Sequence, residues 1–386
     1  MFNRFSIPAF LVFFLMSLVS AVPSGTAKPA EPVVRVLVIE NQKDLRFTVG
    51  GRFKITPLPV SGRGAQTFRK AIGVSVAPSP LGLGIGGKDW VTRGVRLEPD
   101  EDNDLWLNAS RFRGALDIWK DKNGFLYAIN RVPLEEYLYG VLHHEVAPWW
   151  PMEALKAQAV AARTYARYQM SVSAAAEFDL KSTTSSQVYG GSTTERYRTK
   201  KAVDDTASEV LTYGGKIFPA YFHATCAGMT AGAAELWKID LAPVAGGVVC
   251  DYCQISPHYY WHAKIPLSEI EEAFRANGRP LGQILGIEIV TQTPSHRAGS
   301  LRVTGTTQSA LVAVKDFRVW MGGDRIRSAF FTVRTHSDAA EFSGKGWGHG
   351  VGLCQWGALG QALFGKNYKD ILKFYYPGSE ITSLRS

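Results

Sequence analysis

The stretch PLEEYLYGVLHHEVAPWWPMEALKAQAVAARTYARY, residues 133–168, decides how the rest of the chain is read. Pro133 at a first helical position, followed by Glu135 and Glu136 in the first turn, predicts a helix start. Leu134, Tyr137, Leu138, Val141 and Leu142 then recur three and four residues apart, one apolar stripe facing a core. Continued by one step, that stripe arrives at Glu145. A carboxylate there is partly desolvated and sits at a helix C-terminus, where the macrodipole disfavours negative charge. Both effects raise its pKa toward the range a general acid needs. The alternative is that the helix ends by His143 and Glu145 points to water or pairs with a basic side chain.

A Pro-Trp-Trp-Pro corner separates this pattern from a second helix, expected from Pro151 to about Ser171. Its interior is small, with alanine at positions 154, 157, 159, 161, 162 and 166. Alanine on several sides admits close neighbours at little cost in side-chain entropy. Gln158, Arg163 and Tyr165 are its larger polar members. An arginine in so apolar a helix needs a partner, because buried charge is costly. Positioning Glu145 or binding a substrate carboxylate are the functional options, and a surface arginine is the bland one.

Working outward toward the N-terminus, residues 33 to about 130 read as mostly β, with short alternating runs punctuated by Gly and Pro. Asp121-Lys122-Asn123-Gly124 marks a hairpin turn. The run GLGIGG at 82–87 lacks the Lys-Ser/Thr of a phosphate loop and reads as a flexible loop. Asn3-Arg4, an apolar run to Val19 and small residues around Ala21 read as a cleavable secretory signal over residues 1–21, with a linker to residue 32. The run carries Pro8 and is short for a membrane span, so an exported, soluble mature chain is expected, without a span after signal cleavage.

With 386 residues, 46% of them hydrophobic, the chain can bury a substantial core. The formal charge of +9 is spread out, with no Lys/Arg-rich block, which argues against nucleic acid as a partner and suits diffuse anionic surfaces. Toward the C-terminus a helix is expected over about 195–209, then a hairpin around Gly214-Gly215, with further helices at 265–277 and 311–320. The fold class expected is α+β: a β-rich N-terminal region over 33–130, followed by a mixed helix and strand domain with a cleft over 131–386.

Two further features carry chemistry. Glycine occupies every second position from 344 to 352, and in an extended chain this places Lys345, Trp347, His349 and Val351 on one face. Trp347, His349 and Trp356 could then serve a sugar, or the bare face could be a packing seam. The four cysteines, Cys226, Cys250, Cys253 and Cys354, form an even set. In an exported chain disulfides are favoured; His223-x-x-Cys226 with Cys250-x-x-Cys253 is the alternative, a tetrahedral zinc set.

The blocks in 133–166, SQVYGG, FHATCAGMTAGAAELW and GWGHGVGLCQWGALGQA resemble, in order, the family of stage II sporulation protein D and the amidase enhancer. The resemblance covers roughly residues 110–376 and implies a lytic transglycosylase acting on peptidoglycan glycan strands in the periplasm or cell-wall space. It implies that Glu145 is the catalytic acid/base, cleaving between N-acetylmuramic acid and N-acetylglucosamine to leave 1,6-anhydro ends. Gln158, Arg163, Tyr165, His223, Trp347, His349 and Gln355 are then expected to bind substrate or support the acid. The resemblance also admits a second reading, a wall-bound modifier that stimulates another hydrolase. Relatives with a metal site carry His and Cys just before the QVY motif. Residues 177–186 hold neither here, so that site does not carry over and no cofactor is expected. Cys354 as a nucleophile is disfavoured, since relatives often have Ser there.

Overall fold

A computed structural model describes residues 31–59, 64–100 and 103–384. The expected signal and most of its linker lie outside the described residues. Antiparallel ladders dominate the first hundred of these residues. One sheet runs, edge to edge, through Leu180–Lys181, Val33–Gln42, Leu126–Pro133, Ala115–Lys120, Gly94–Pro99, Phe53–Leu58 and Gln66–Phe68. A second takes Ser110–Phe112, Leu105–Leu107, Leu45–Val49, Ala71–Ser79, Gly82–Ile85 and Lys88–Trp90. Period-two alternation buries Leu45, Phe47 and Val49 while turning Arg46 out, the pattern of a sheet with one face in a core. Asp121 closes the expected hairpin, its carboxylate accepting the N–H groups of Asn123 and Phe125. Residues 82–87 are not a flexible loop. Gly82–Ile85 pairs with Ala71–Ser79, and Gly86-Gly87, both at positive φ, turn it into Lys88–Trp90.

Helix α1 spans Leu134–Glu145 and α2 spans Met152–Val172. Pro133 falls just outside α1 because it still pairs with Val33 at the end of its strand. All five stripe residues of α1 are buried, each aliphatic one contributing about 1.5–3 kcal/mol. The alanines of α2 are explained by its place between two cores. Ala154, Leu155, Ala159, Ala162 and Ala166 face the core that α1 shares with both sheets. Ala157, Val160 and Ala161 face a second core, built with Phe218, Val351, Leu353 and Tyr375.

Beyond α2 the chain makes α3 (Tyr197–Asp205), α4 (Ala234–Trp237), α5 (Leu267–Ala276), α6 (Val314–Met321), α7 (Gln355–Leu363) and α8 (Tyr368–Tyr375). The helix expected over 195–209 is shorter because Glu209 already belongs to the strand Glu209–Tyr213. Likewise α6 begins only at Val314, since residues 311–313 finish a strand paired with Ala298–Gly305. Helices α5 and α6 and two three-stranded sheets between residues 260 and 345 enclose a third core around Phe274, Phe317 and Phe342. No helix among the described residues is long and apolar enough to cross a membrane.

Candidate active site

Glu145 is the last residue of α1, and the helix closes behind it with the Val146 N–H bonded to the Leu142 carbonyl. The corner that follows is fixed from α3, where Arg198 donates to the carbonyls of Pro148 and Trp150. Trp150 is buried edge-on against Trp356, with ring centroids 5.3 Å apart. The turn leaving α1 is thus held on two sides, which sets where the Glu145 side chain can reach.

Both carboxylate oxygens of Glu145 accept a hydrogen bond. The backbone N–H of Val188 donates to Oε1 at 3.3 Å, and Gln355 Nε2 donates to Oε2 at 3.3 Å. Val188 lies in the QVYGG segment, which is pinned on either side of it. Tyr137 donates its hydroxyl to Gln187 at 3.0 Å, Gln187 donates to the Ala162 carbonyl, and Tyr189 donates to Asn130 at 2.8 Å. Gly140 on α1 is required here, since a Cβ would collide with the Tyr189 ring. Gln355 opens α7, directly after the glycine-rich block. Three segments far apart in sequence therefore meet at one carboxylate.

Glu145 is only partly enclosed. Burial of most of its surroundings raises its pKa from 4.5 to about 7, against the opposing pull of the Val188 and Gln355 hydrogen bonds. Its charge is felt by two neighbouring phenols, Tyr137 and Tyr165, both raised first by burial and further by the carboxylate.

Tyr165, whose phenol feels the Glu145 charge, lines a cavity of about 140 Å³ with Tyr221, Trp237, His349 and the hydroxyl-bearing loop Thr184-Ser185-Ser186 that precedes QVYGG; Glu145 is not among its walls. Tyr221 stacks on Trp237 at 4.3 Å, and His349 stands edge-on to Trp237 at 5.1 Å. The His349 Nδ1 accepts the Val351 N–H, and burial with the neighbouring His223 holds the ring neutral, well below the usual histidine range. The chemical repertoire is an acid poised near neutrality and an aromatic, hydroxyl-lined hollow, related through the Tyr165 phenol.

The other expected site residues fall in different places. Arg163 neither reaches Glu145 nor faces a ligand. It is fully buried and donates twice to Glu135 at 2.9 and 2.6 Å, and to the carbonyls of Val203 and Glu209. It ties the start of α1 to α3 because a desolvated guanidinium must spend all its donors on protein. Gln158 is buried on α2, with neither amide atom hydrogen-bonded to a described residue. His223 is buried, its Nδ1 3.1 Å from the Val351 carbonyl, and burial lowers its pKa to about 3. Trp347 packs edge-on to His258 at 4.5 Å and under the Arg327 guanidinium, away from the cavity.

Only Gly344 and Lys345 of the glycine-rich block belong to a strand, the end of Ala339–Lys345. Gly346, Gly348, Gly350 and Gly352 have φ between 72° and 105°, so alternate side chains do not share one face. At Gly352 a Cβ would run into the Tyr221 carbonyl, the mark of a backbone seam against residues 221–227. The four cysteines are separate thiols, all buried, with every sulfur within 4.8 Å of the others. The cluster is neither the favoured disulfide pairing nor the alternative set with His223: Cys354 is its fourth member, while the His223 Nδ1 lies against the Val351 carbonyl. Sequence reasoning missed Val188 and Tyr221. A backbone donor leaves no mark on residue type, and Tyr221 was indistinguishable from a strand aromatic.

The stage II sporulation protein (SpoIID) family profile matches residues 122–213, and a domain of unknown function (DUF8618) matches residues 252–352. An uncharacterized protein of Brachyspira hyodysenteriae is 36% identical over 311 residues, 80% of this chain and 82% of its own length. Stage II sporulation protein D of Bacillus subtilis is 30% identical, over 66% of this chain and 76% of its own. The amidase enhancer of Bacillus subtilis is 28% identical over 64% of this chain, but only 40% of its own length is covered.

Proposed function

Since the chain belongs to the stage II sporulation protein D family, we propose that it is an exported lytic transglycosylase of bacterial peptidoglycan, with Glu145 as its acid and base. The observation that carries this reading is the Glu145 carboxyl, raised to about 7 and aimed by the Val188 N–H and the Gln355 amide. Near neutral pH such a group exists in both protonation states, which a single residue acting in two steps requires.

Protonated Glu145 gives its proton to the oxygen linking muramic C1 to the next N-acetylglucosamine, and the C1–O bond breaks. The resulting carboxylate takes the proton of the muramic 6-hydroxyl as O6 bonds to C1. The 1,6-anhydro end forms, the second sugar leaves with a free hydroxyl, and Glu145 ends protonated as it began. An intramolecular nucleophile removes the need for the second carboxylate that glycan hydrolases employ. Tyr221 and Trp237 offer the flat apolar surface on which a sugar ring stacks.

The reading is tested by incubating the protein with purified peptidoglycan, with and without stem peptides, and analysing the products by mass spectrometry. Wild type yields 1,6-anhydro-muramic ends and Glu145→Gln does not; equal yields from both would sink it. The name of the Bacillus amidase enhancer supports a second reading, a wall-binding protein that stimulates a separate hydrolase. That reading requires faster release by an added amidase, unchanged in Glu145→Gln, with no anhydro ends.

A further inference from the structure

We propose that Cys226, Cys250, Cys253 and Cys354 form a structural four-thiolate site for zinc, which fixes the first turn of the helix that carries Gln355. The sulfurs form one mutual cluster, not two separate pairs: all four lie within 4.8 Å of one another, and Cys226 and Cys253 are 3.5 Å apart. A tetrahedron of zinc–sulfur bonds places its sulfurs about 3.8 Å from each other. Disulfides would instead draw them into two exclusive pairs at bonding distance.

Hydrogen-bond donors face two of the sulfurs, Cys354 and Cys250. Cys354 caps α7, and its Sγ accepts the N–H groups of Gly357 and Cys226, each at 3.3 Å. Backbone donors at a helix N-terminus favour a thiolate over a thiol. The Tyr375 hydroxyl lies 3.1 Å from Cys250 Sγ. Cys250 and Cys253 sit on a single tight 3-10 turn, Asp251–Ile255 with Cys250 at its cap, so two ligands come from one rigid knuckle. Gly357 has no room for a Cβ, which would meet the Tyr375 hydroxyl and the Cys250 sulfur.

Charge is provided for as well. Four thiolates around a divalent ion leave two negative charges in a buried core. Arg297 is buried beside them and donates to the carbonyls of Cys226, Met229 and Ser295. The site would fasten three separate segments: the 226–229 turn, the 250–253 knuckle and the start of α7. Gln355, the residue after Cys354, donates to Glu145, so the ion sits one residue from the catalytic support.

The test takes the protein purified without chelator. Elemental analysis is expected to find one zinc per chain, with all four thiols unreactive until a strong chelator withdraws the metal. Hydrogen exchange at amides 354–358 is then expected to accelerate. Cobalt-exchanged protein should show thiolate-to-cobalt charge transfer and tetrahedral visible bands, a readout that needs no variant to fold. Cys250→Ser should lose the metal, whereas His223→Ala should retain it, which separates this tetrad from one that includes the histidine. An intact mass short of the four hydrogens lost in two disulfides overturns the proposal. So do thiols that react freely with no zinc bound, exchange at 354–358 indifferent to chelator, or a zinc that persists in Cys250→Ser.

Discussion

Gln355 Nε2 donates to Glu145 Oε2 at 3.3 Å across 210 residues of sequence, joining the start of α7 to the end of α1. A donor to the charged form of a carboxyl holds its pKa down, so this contact opposes the rise that burial imposes on Glu145. Gln355→Ala therefore moves the Glu145 pKa upward, above about 7. The pH profile of anhydro-end formation should follow, its alkaline limb shifting to higher pH as the acid form persists. Glu145→Gln should abolish the reaction across the whole profile. A Gln355→Ala limb that stays put or moves to lower pH would refute the contact's role.

Glu145 also links stability to pH. Its folded pKa, raised to about 7, lies above its ordinary 4.5, so the folded protein holds this proton more tightly than the unfolded chain. The contribution is fully present below about pH 4.5 and is lost as pH rises through 7. Glu145→Gln, which never ionises, should lack this loss. Allowing for the solvent the carboxylate meets, the variant should gain about 2 kcal/mol on wild type between pH 5 and pH 8. Urea unfolding of both proteins at the two pH values measures the difference, and parallel curves would show that Glu145 is not desolvated.

The apolar stripe of α1 made Glu145 legible, because a 3.6-residue period fixes a face before any tertiary contact is known. The β-rich start and the alanine helix were legible for the same reason, since periodicity and side-chain size are local properties. What escaped was long-range or backbone in origin. The Val188 N–H has no side-chain signature, and Arg163 found Glu135 where sequence offered no pairing rule. Alternating glycine from 344 to 352 imitates a strand's period, yet positive φ at Gly346 and Gly352 bends the chain out of that form. Cys354 lies 101 residues beyond Cys253 in the numbering, so only the fold could put it with the other three sulfurs.

The Arg163–Glu135 pair makes its own demand. The arginine side chain is wholly buried and the glutamate side chain is 16% exposed. Removing one partner of such a pair strands the other charge in a dry environment, at a cost of about 3–5 kcal/mol. Arg163→Ala should therefore lower the urea midpoint sharply, because Glu135 and the carbonyls of Val203 and Glu209 lose the guanidinium's hydrogen bonds together. Any folded fraction should keep the wild-type pH profile, since neither residue touches Glu145. A shifted profile at normal stability would instead place Arg163 in the chemistry.

Trp149 and Trp150 share one corner but not one task. Trp150 is 4% exposed and packs on Trp356, whereas Trp149 is 69% exposed, four residues after Glu145, on the turn that Arg198 braces. An indole left in water on a braced turn gains little for the fold, so Trp149→Ala should change stability by no more than about 0.5 kcal/mol. On the proposed function, the same flat face would stack on a sugar ring of the glycan beside the acid. In a Glu145→Gln background, which keeps the substrate intact, Trp149→Ala should weaken binding to purified sacculi by ~1 kcal/mol, about fivefold in Kd. Trp150→Ala should do the opposite, costing stability by about 3–5 kcal/mol through the cavity it leaves. Sedimentation of protein with sacculi, beside urea unfolding of each variant, separates the two residues. Equal binding with and without the Trp149 indole would remove this corner from the glycan's path.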